Sequence, residues 1–186
     1  SASADLLGRA MIVHAFDGSR IGCAILGAAT QLVLTASGFV PYYSYEGALS
    51  VGGSVGPMTT SGTTQSFSYS LTGVDPACAS GGGSAANSCG LHIHSGSSCV
   101  SDAGGHYYSG SVSVDPWGSI AYTSDASGAS SGSVSVDTGS ASADLLGRAM
   151  IVHAFDGSRI GCALLSDGID ATLEASAFVP YYTYSG

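Results

Sequence analysis

The two ends of this 186-residue chain repeat one another. Residues 1–26 recur as residues 140–165 with one substitution, and His14 recurs as His153, so the period is 153 − 14 = 139 residues. The chain therefore holds one whole repeat plus an overlap of 186 − 139 = 47 residues. Since the terminal segment occurs twice and the middle of the chain only once, two copies of one segment compete for a single place in the fold.

Alternating valine and serine predict β-strands. The two residue types alternate in residues 110–114 and again in residues 132–136. Because successive side chains of a strand point to opposite faces, this period of two is typical of strands with one wet face. No segment shows a sustained helical period with caps. The pattern alone predicts an all-β fold, an antiparallel β-sandwich or Greek-key barrel.

Four histidines carry the main chemical signal. His92 and His94 are two residues apart, so on a strand both imidazoles point to one face and can bind one ion. His106 follows in a Gly-Gly-His-Tyr segment, and His153 precedes an Arg-x-x-Cys segment that begins at Arg159. Histidines without thiolates or several carboxylates favour copper, zinc or nickel over calcium or magnesium. The alternative is a set of structural histidines in a domain that no longer binds metal.

These motifs, in this order, resemble the copper/zinc superoxide dismutases and, among them, the copper-only superoxide dismutase repeat proteins found outside the cell. The resemblance covers roughly residues 47–166. It implies a Greek-key β-sandwich/barrel of the copper/zinc superoxide dismutase type, one unit of a tandem array. It also implies that His92, His94 and His153 are copper ligands, while His106 matches the histidine that bridges copper and zinc in the two-metal enzymes.

The same resemblance gives roles to an arginine and two cysteines. Arg159 matches the arginine that guides and holds the superoxide anion, and Cys99 and Cys162 match the disulfide that ties the metal loop to the barrel. A simpler interpretation of Arg159 is a surface ion pair with Asp156. The implied partner of the site is superoxide, and the implied cofactor is copper.

The chain departs from the two-metal pattern. The family's zinc site needs two further histidines and an aspartate, but no histidine lies between Tyr107 and Val152, so we expect copper and no zinc. In copper-only relatives a carboxylate can orient the bridging imidazole in place of zinc. Asp115 and Asp156 are the candidates, although the Asp-Pro-Trp sequence at Asp115 is by itself more typical of a strand-end turn with a packed indole.

Five cysteines in a chain without lysine indicate an oxidising compartment, and we expect an extracellular, secreted protein. Cys78 and Cys89 are suggested as a pair by local closeness and by exclusion, which leaves Cys23 over. The alternative is that some cysteines are buried free thiols. Nothing at the N-terminus resembles a cleavable signal and no apolar run is long enough to cross a bilayer, so we expect no membrane insertion.

The charge of the chain limits its partners. Thirteen acids against four arginines give a formal charge of −9. Nucleic acids and anionic membrane surfaces are therefore unsuitable partners. Because superoxide is an anion, this charge slows its approach unless the field near the metal is locally positive.

The repeat predicts four segments: a closing hairpin of a neighbouring repeat, an inter-repeat linker, a dismutase-like β-sandwich, and a linker with the start of the next repeat, which are residues 1–27, 28–46, 47–166 and 167–186. In this arrangement His14, Arg20 and Cys23 serve a neighbouring copper site. Alternatively, residues 1–27 fill the local place and the second copy reaches into the next molecule. Either arrangement repeats head to tail with further copies.

Two functions from different classes follow. The first is a copper enzyme that disproportionates superoxide to oxygen and hydrogen peroxide. The second is a structural protein, an extracellular filament or matrix built from dismutase-like sandwiches whose copper sites are vestigial or serve storage.

Overall fold

The chain forms two compact units. The computed structural model describes residues 6, 8–29, 32–168, 172–175 and 177–184. The larger unit is Leu32–Gly168, and the smaller one combines Ser1–Gln31 with Ile169–Gly186. Each unit is described by itself below.

The described residues are nearly all strand and loop. A four-residue helix, α1 (Ser142–Leu145), and 3-10 turns at Pro76–Ser80 and Pro116–Ser119 interrupt them. The strands are, in chain order, β1 (Ala10–His14), β2 (Arg20–Ala29), β3 (Val33–Ser37), β4 (Val40–Pro41), β5 (Gly52–Ser61), β6 (Thr64–Thr72), β7 (Leu91–Ile93), β8 (Ser130–Asp137), β9 (Ala149–His153), β10 (Arg159–Leu164), β11 (Ser166–Gly168), β12 (Thr172–Ala175) and β13 (Val179–Pro180). No helix among the described residues is long and apolar enough to span a bilayer.

The larger unit is a β-sandwich of two antiparallel sheets. One sheet has the strand order β11-β3-β5-β6-β8, and the other has the order β4-β10-β9-β7. Buried residues of both sheets form one core; they include Leu34, Val55 and Phe67 of the first sheet and Leu91 and Ile160 of the second. The predicted all-β sandwich is confirmed.

Alternation of side chains explains the inner strands of the first sheet. In β6 the residues Gln65, Phe67, Tyr69 and Leu71 are buried, and their neighbours are more exposed. Residues 132–136 lie in β8, as predicted.

The predicted strand at residues 110–114 is wrong. These residues form turns and irregular backbone, and Val114 is exposed. Backbone bonds from Ser109 N to Thr138 O and from Val112 N to Ser109 O hold the start of the segment in a turn instead of an extended ladder. Alternation of valine and serine is therefore insufficient without a neighbouring strand edge to pair with.

Strand β9 lies between β10 and β7, and the side chains on both of its faces are buried. Met150 and Val152 point into the main core between the sheets. Ala149 and Ile151 point to the opposite face, where they pack in a smaller cluster that includes Tyr42. His153, the last residue of β9, lies on this second face.

The larger unit begins earlier than the predicted sandwich. Residues 32–46, predicted as part of a linker, contain β3 and β4, which pair with β5 and β10. Leu34 and Ala36 are fully buried in the main core. The apolar run at this point is too short to stand out as a strand in the sequence, but its burial makes it part of the sandwich.

The smaller unit repeats part of the larger one. The hairpin of β1 and β2 pairs through β2 with β12 and β13. Val179 lies opposite Cys23, as Val40 lies opposite Cys162 in the larger unit. Val179 is the repeat of Val40 and Cys162 is the repeat of Cys23, each 139 residues later in the chain. The same sequence therefore adopts the same pairing twice.

The matched copies allow a direct test of burial. Met150 is fully buried, whereas Met11, at the same place in the duplicated sequence, is 45% exposed. Met150→Ala should lower the free energy of unfolding by about 2–5 kcal/mol, and Met11→Ala by less than about 0.5 kcal/mol. Urea unfolding followed by the fluorescence of Trp117, the single and fully buried tryptophan, measures both. Equal losses would contradict the described packing.

Candidate metal centre

Four histidines of the larger unit converge. His92, His94, His106 and His153 each offer one ring nitrogen, and these atoms all lie within 4.8 Å of one another. The sequence predicted this set, and a cluster of four histidines could hold a metal ion. The three histidines other than His106 are almost completely buried.

Strand pairing brings the cluster together. In the β7–β9 ladder His92 lies opposite Ile151, on the face away from the main core, and His153 ends β9 on that same face. His94 follows β7 by one residue and forms an isolated bridge with His106. The two-residue spacing therefore brings the rings of His92 and His94 into one cluster, as predicted. Strand β9 adds His153, which lies 59 residues after His94 in the chain.

The second nitrogen of each ring contacts an oxygen that can only accept. A carbonyl or carboxylate at 2.6–2.9 Å fixes the ring proton on that side. The contacts are His92 Nε2 with Ile120 O, His94 Nδ1 with Gly104 O, His106 Nδ1 with Asp115 Oδ2, and His153 Nδ1 with Gly157 O. The four facing nitrogens consequently carry lone pairs.

The lone pairs of the four facing nitrogens have no proton donor among the described residues. His92 Nδ1 and His106 Nε2 are buried and have no hydrogen-bond partner. His94 Nε2 and His153 Nε2 lie 3.4 Å apart, and the proton of each ring is held on its other nitrogen. Buried acceptors that face one another are unfavourable unless a positive charge lies between them. The residues therefore fit a metal ion that prefers imidazole.

Burial keeps the rings neutral and ready to bind. Removal from water lowers the pKa of His92 to about 2, of His94 to about 3 and of His153 to about 4. The charge of Arg159 also lowers the pKa of His94 and of His153. At neutral pH a metal therefore displaces no proton from these three rings.

Asp115 orients His106. Its Oδ2 accepts from His106 Nδ1 at 2.6 Å, and its Oδ1 accepts from Trp117 N at 2.9 Å. The Asp-Pro-Trp turn is thus a turn with a packed indole, as predicted, but it also belongs to the site. The other candidate, Asp156, accepts instead from the backbone and hydroxyl of Ser158.

Arg159 is held beside the cluster by three acceptors. Its Nη1 donates to the Tyr42 hydroxyl at 2.6 Å and to Asp102 Oδ1 at 2.8 Å, and its Nη2 donates to Gly104 O at 2.6 Å. A guanidinium has five N–H donors, so two remain for a ligand. Among the described residues its carboxylate partner is Asp102 and not the predicted alternative, Asp156.

Two partners of Arg159 were missed in the sequence. Tyr42 also donates to Asp102 at 3.0 Å, and hydrogen bonds from Gly104 N, Tyr42 and Arg159 lower the pKa of Asp102. The sequence did contain a signal for Tyr42. Its Val-Pro-Tyr-Tyr segment, residues 40–43, recurs unchanged at residues 179–182, although the two copies of the preceding segment differ at most positions. Asp102 has no such signal.

Two disulfides frame the site. Cys99 is bonded to Cys162 of β10, and Cys78 is bonded to Cys89, directly before Gly90 and β7. Both predicted pairs are present. The first ties the loop after His94 to the sheet that carries His153.

The remaining predicted residues lie in the smaller unit. His14 is exposed, and its Nδ1 contacts Gly18 O at 2.9 Å, as His153 does with Gly157. Arg20 donates to the hydroxyl of Tyr181 at 2.6 Å. Cys23 is a free thiol. The smaller unit holds no second histidine, so it cannot by itself form a cluster of histidines like that of the larger unit.

The chain matches no protein-family model, and no curated protein is similar to it at a significant level. The resemblance to superoxide dismutases thus rests on the residues and their spacing.

The three buried histidines should make the metal-free protein less stable in acid. Their folded pKa values lie below the ordinary 6.5, so the unfolded chain binds protons first as the pH falls. This stability is present above pH 6.5 and is lost between pH 6.5 and the folded pKa of each ring, about 4 for His153, by at most about 1.4 kcal/mol per pH unit for each ring. Urea unfolding with a chelator, followed by Trp117 fluorescence, should show a smaller unfolding free energy at pH 5 than at pH 7.

A matched pair of variants controls for other groups. His153→Gln should reduce the slope of unfolding free energy against pH by the share of one ring, while His14→Gln, which changes an exposed histidine in the same sequence context, should leave the slope unchanged. An unfolding free energy that is constant between pH 5 and pH 7 would show that the rings are not buried as described.

Proposed function

We propose that this chain contains an extracellular copper-binding unit of the superoxide dismutase type, which converts superoxide to oxygen and hydrogen peroxide. The observation that carries this proposal is the set of four lone-pair nitrogens facing one another beside an arginine with unused donors. The order of the motifs supports it, and the two disulfides support an oxidising compartment.

His92, His94, His153 and His106 would hold the metal through the nitrogens described above. Copper held there would supply the reversible one-electron redox chemistry that the disproportionation of superoxide requires. Two superoxide ions and two protons thereby yield one oxygen molecule and one hydrogen peroxide molecule. The carbonyl and carboxylate contacts of the rings keep each coordinating nitrogen free of a proton.

Arg159 would dock the anion. Its two remaining N–H donors and its positive charge attract superoxide in a chain whose formal charge is −9. Asp102, exposed and ion-paired with Arg159, reduces this attraction. We therefore expect a rate below the diffusion ceiling of about 10⁹ M⁻¹s⁻¹.

His106 and Asp115 would serve proton transfer and orientation. Peroxide formation consumes two protons, and His106 Nε2 can hold one whenever it does not coordinate. Asp115 is 41% exposed in its side chain and contacts the other nitrogen of that ring. It therefore links the ring to solvent and fixes its direction.

A second function, a structural one, is favoured by the duplicated segment. The smaller unit reproduces the strand pairing of the larger unit with a second copy of the sequence. Sandwiches that share such segments head to tail would build a filament or matrix in which the metal has no catalytic task.

Metal loading and activity separate the two functions. The protein loaded with copper should bind about one ion per chain through the cluster and should remove superoxide generated by an oxidase. His94→Ala should lose at least tenfold in copper affinity, because it removes one of four ligands. If copper binds at the cluster and the protein removes no superoxide, the catalytic function is excluded and the structural function remains.

The duplicated arginine provides a control for anion docking. Arg159→Ala should lower kcat/KM for superoxide about tenfold, which is about 1.4 kcal/mol of transition-state stabilisation. Arg20→Ala changes the same residue in the same local sequence but beside no histidine cluster, so the monomeric protein should keep its rate. Increasing ionic strength should reduce the difference between the Arg159 variant and the parent protein. Equal rates for both variants would exclude Arg159 from docking.

A further inference from the structure

Strand β1 and strand β9 have the same sequence, Ala-Met-Ile-Val-His, but opposite burial. Met150 and Val152 of β9 are fully buried, whereas Met11 and Val13 of β1 are 45% and 42% exposed. Identical apolar side chains are therefore covered in one unit and uncovered in the other. The face of β1 and β2 that carries these side chains is called the open face below.

In the larger unit, β7 pairs with the edge of β9 that faces away from β10. Backbone bonds run from His94 N to Ala149 O and from His153 N to Gly90 O, each at 2.8 Å. Leu91 and Ile93 of β7 lie opposite Val152 and Met150. Among the described residues no strand pairs with the corresponding edge of β1, where the equivalent groups are Ala10 O and His14 N.

The smaller unit already has the rest of the arrangement. Strand β13 pairs with β2 as β4 pairs with β10, and β12 pairs with β2 as β3 pairs with β11, all with the same 139-residue shift. Arg20 donates to the hydroxyl of Tyr181 as Arg159 does to that of Tyr42, at 2.6 Å in both cases. The described residues of the smaller unit thus repeat the pairing of β3, β4, β10 and β11, and its sequence contains no counterpart of residues 47–139.

We propose that the edge of β1 and the open face bind residues 47–139 of another copy of this repeat. The incoming β7 would pair with β1 in the register that it has on β9, so that Leu91 lies opposite Val13 and Ile93 opposite Met11. Addition of a strand to an exposed edge satisfies the backbone groups, and the apolar face supplies the burial.

The partner is a second copy of the repeat, because residues 47–139 cover the same apolar side chains of β9 in the larger unit. Residues 47–139 occur once in the chain and are engaged by residues 149–168 in the larger unit. The duplicated segments, residues 1–26 and 140–165, differ at one position, so exchange between molecules replaces each contact by its equivalent. The fraction of exchanged molecules then depends on the concentration of the partner surface, which is high when a further repeat lies on the same polypeptide.

Two chemical consequences follow. Cys23 takes the position of Cys162, so it should bond to the incoming Cys99. His14 takes the position of His153, so it should complete a second four-histidine cluster with the incoming His92, His94 and His106. The docking surface itself does not depend on whether the metal centre is catalytic.

The test frees Cys99 by the substitution Cys162→Ser. Concentrated protein is incubated with oxidised glutathione, which accepts the two electrons and two protons of the two thiols and becomes two reduced glutathione molecules. An equimolar mixture of nitrogen-15-labelled and unlabelled chains should give disulfide-linked dimers and longer species. Mass spectrometry should find the Cys23–Cys99 peptide with one labelled and one unlabelled half.

Two controls separate docking from random oxidation. Cys162→Ser with Cys23→Ser should stay monomeric on a non-reducing gel. Cys162→Ser with Ile12→Pro keeps the thiol but removes an outward N–H from the edge of β1, since residues 10, 12 and 14 face outward there; the mixed peptide should fall about tenfold. Equal amounts of mixed peptide with and without the proline, or a Cys23–Cys99 bond formed only within one chain, would overturn the proposal.

Discussion

The antiparallel pairing of β7 with β9 is the interaction on which the site depends. It places Leu91 and Ile93 opposite Val152 and Met150 in the main core, and it leaves His92 beside Ile151 on the other face. A shift of this register by one residue would exchange the faces, burying imidazole in the sandwich core and exposing leucine at the metal position. The apolar side chains of the two strands therefore fix the geometry of the histidines.

The position of the proton on each histidine ring is determined by an oxygen atom of a neighbouring loop or turn. Carbonyl groups of residues 104, 120 and 157 and the carboxylate of Asp115 each contact one nitrogen of a ring. All four come from loops or turns, not from the strands that carry the rings. The sheets thus supply position, and the loops supply the chemical form of the ligands.

Part of this arrangement could be predicted from the sequence, and the reason differs from case to case. The spacing of His92 and His94 is a local property of strands, so it predicted that these two rings lie together, whereas His106 and His153 were assigned through the resemblance to the superoxide dismutases. The pairing of Arg159 with Asp102 could not be predicted, because it joins residues 57 apart and its acid has no motif of its own. Strands β3 and β4 were assigned to a linker, because only their pairing with β5 and β10 identifies them as strands, and that pairing has no local signal in the sequence.

A single peptide oxygen, Gly104 O, accepts from both His94 and Arg159. The backbone at this glycine has φ = +72°, and a Cβ there would come within 2.3 Å of Ser95 Oγ. Because the shared oxygen belongs to the main chain and the positive φ favours glycine, a larger residue at position 104 would strain the peptide group that both side chains contact. This one carbonyl therefore sets the spacing between the His94 ring and the Arg159 guanidinium, and a movement of this peptide group would displace both side chains.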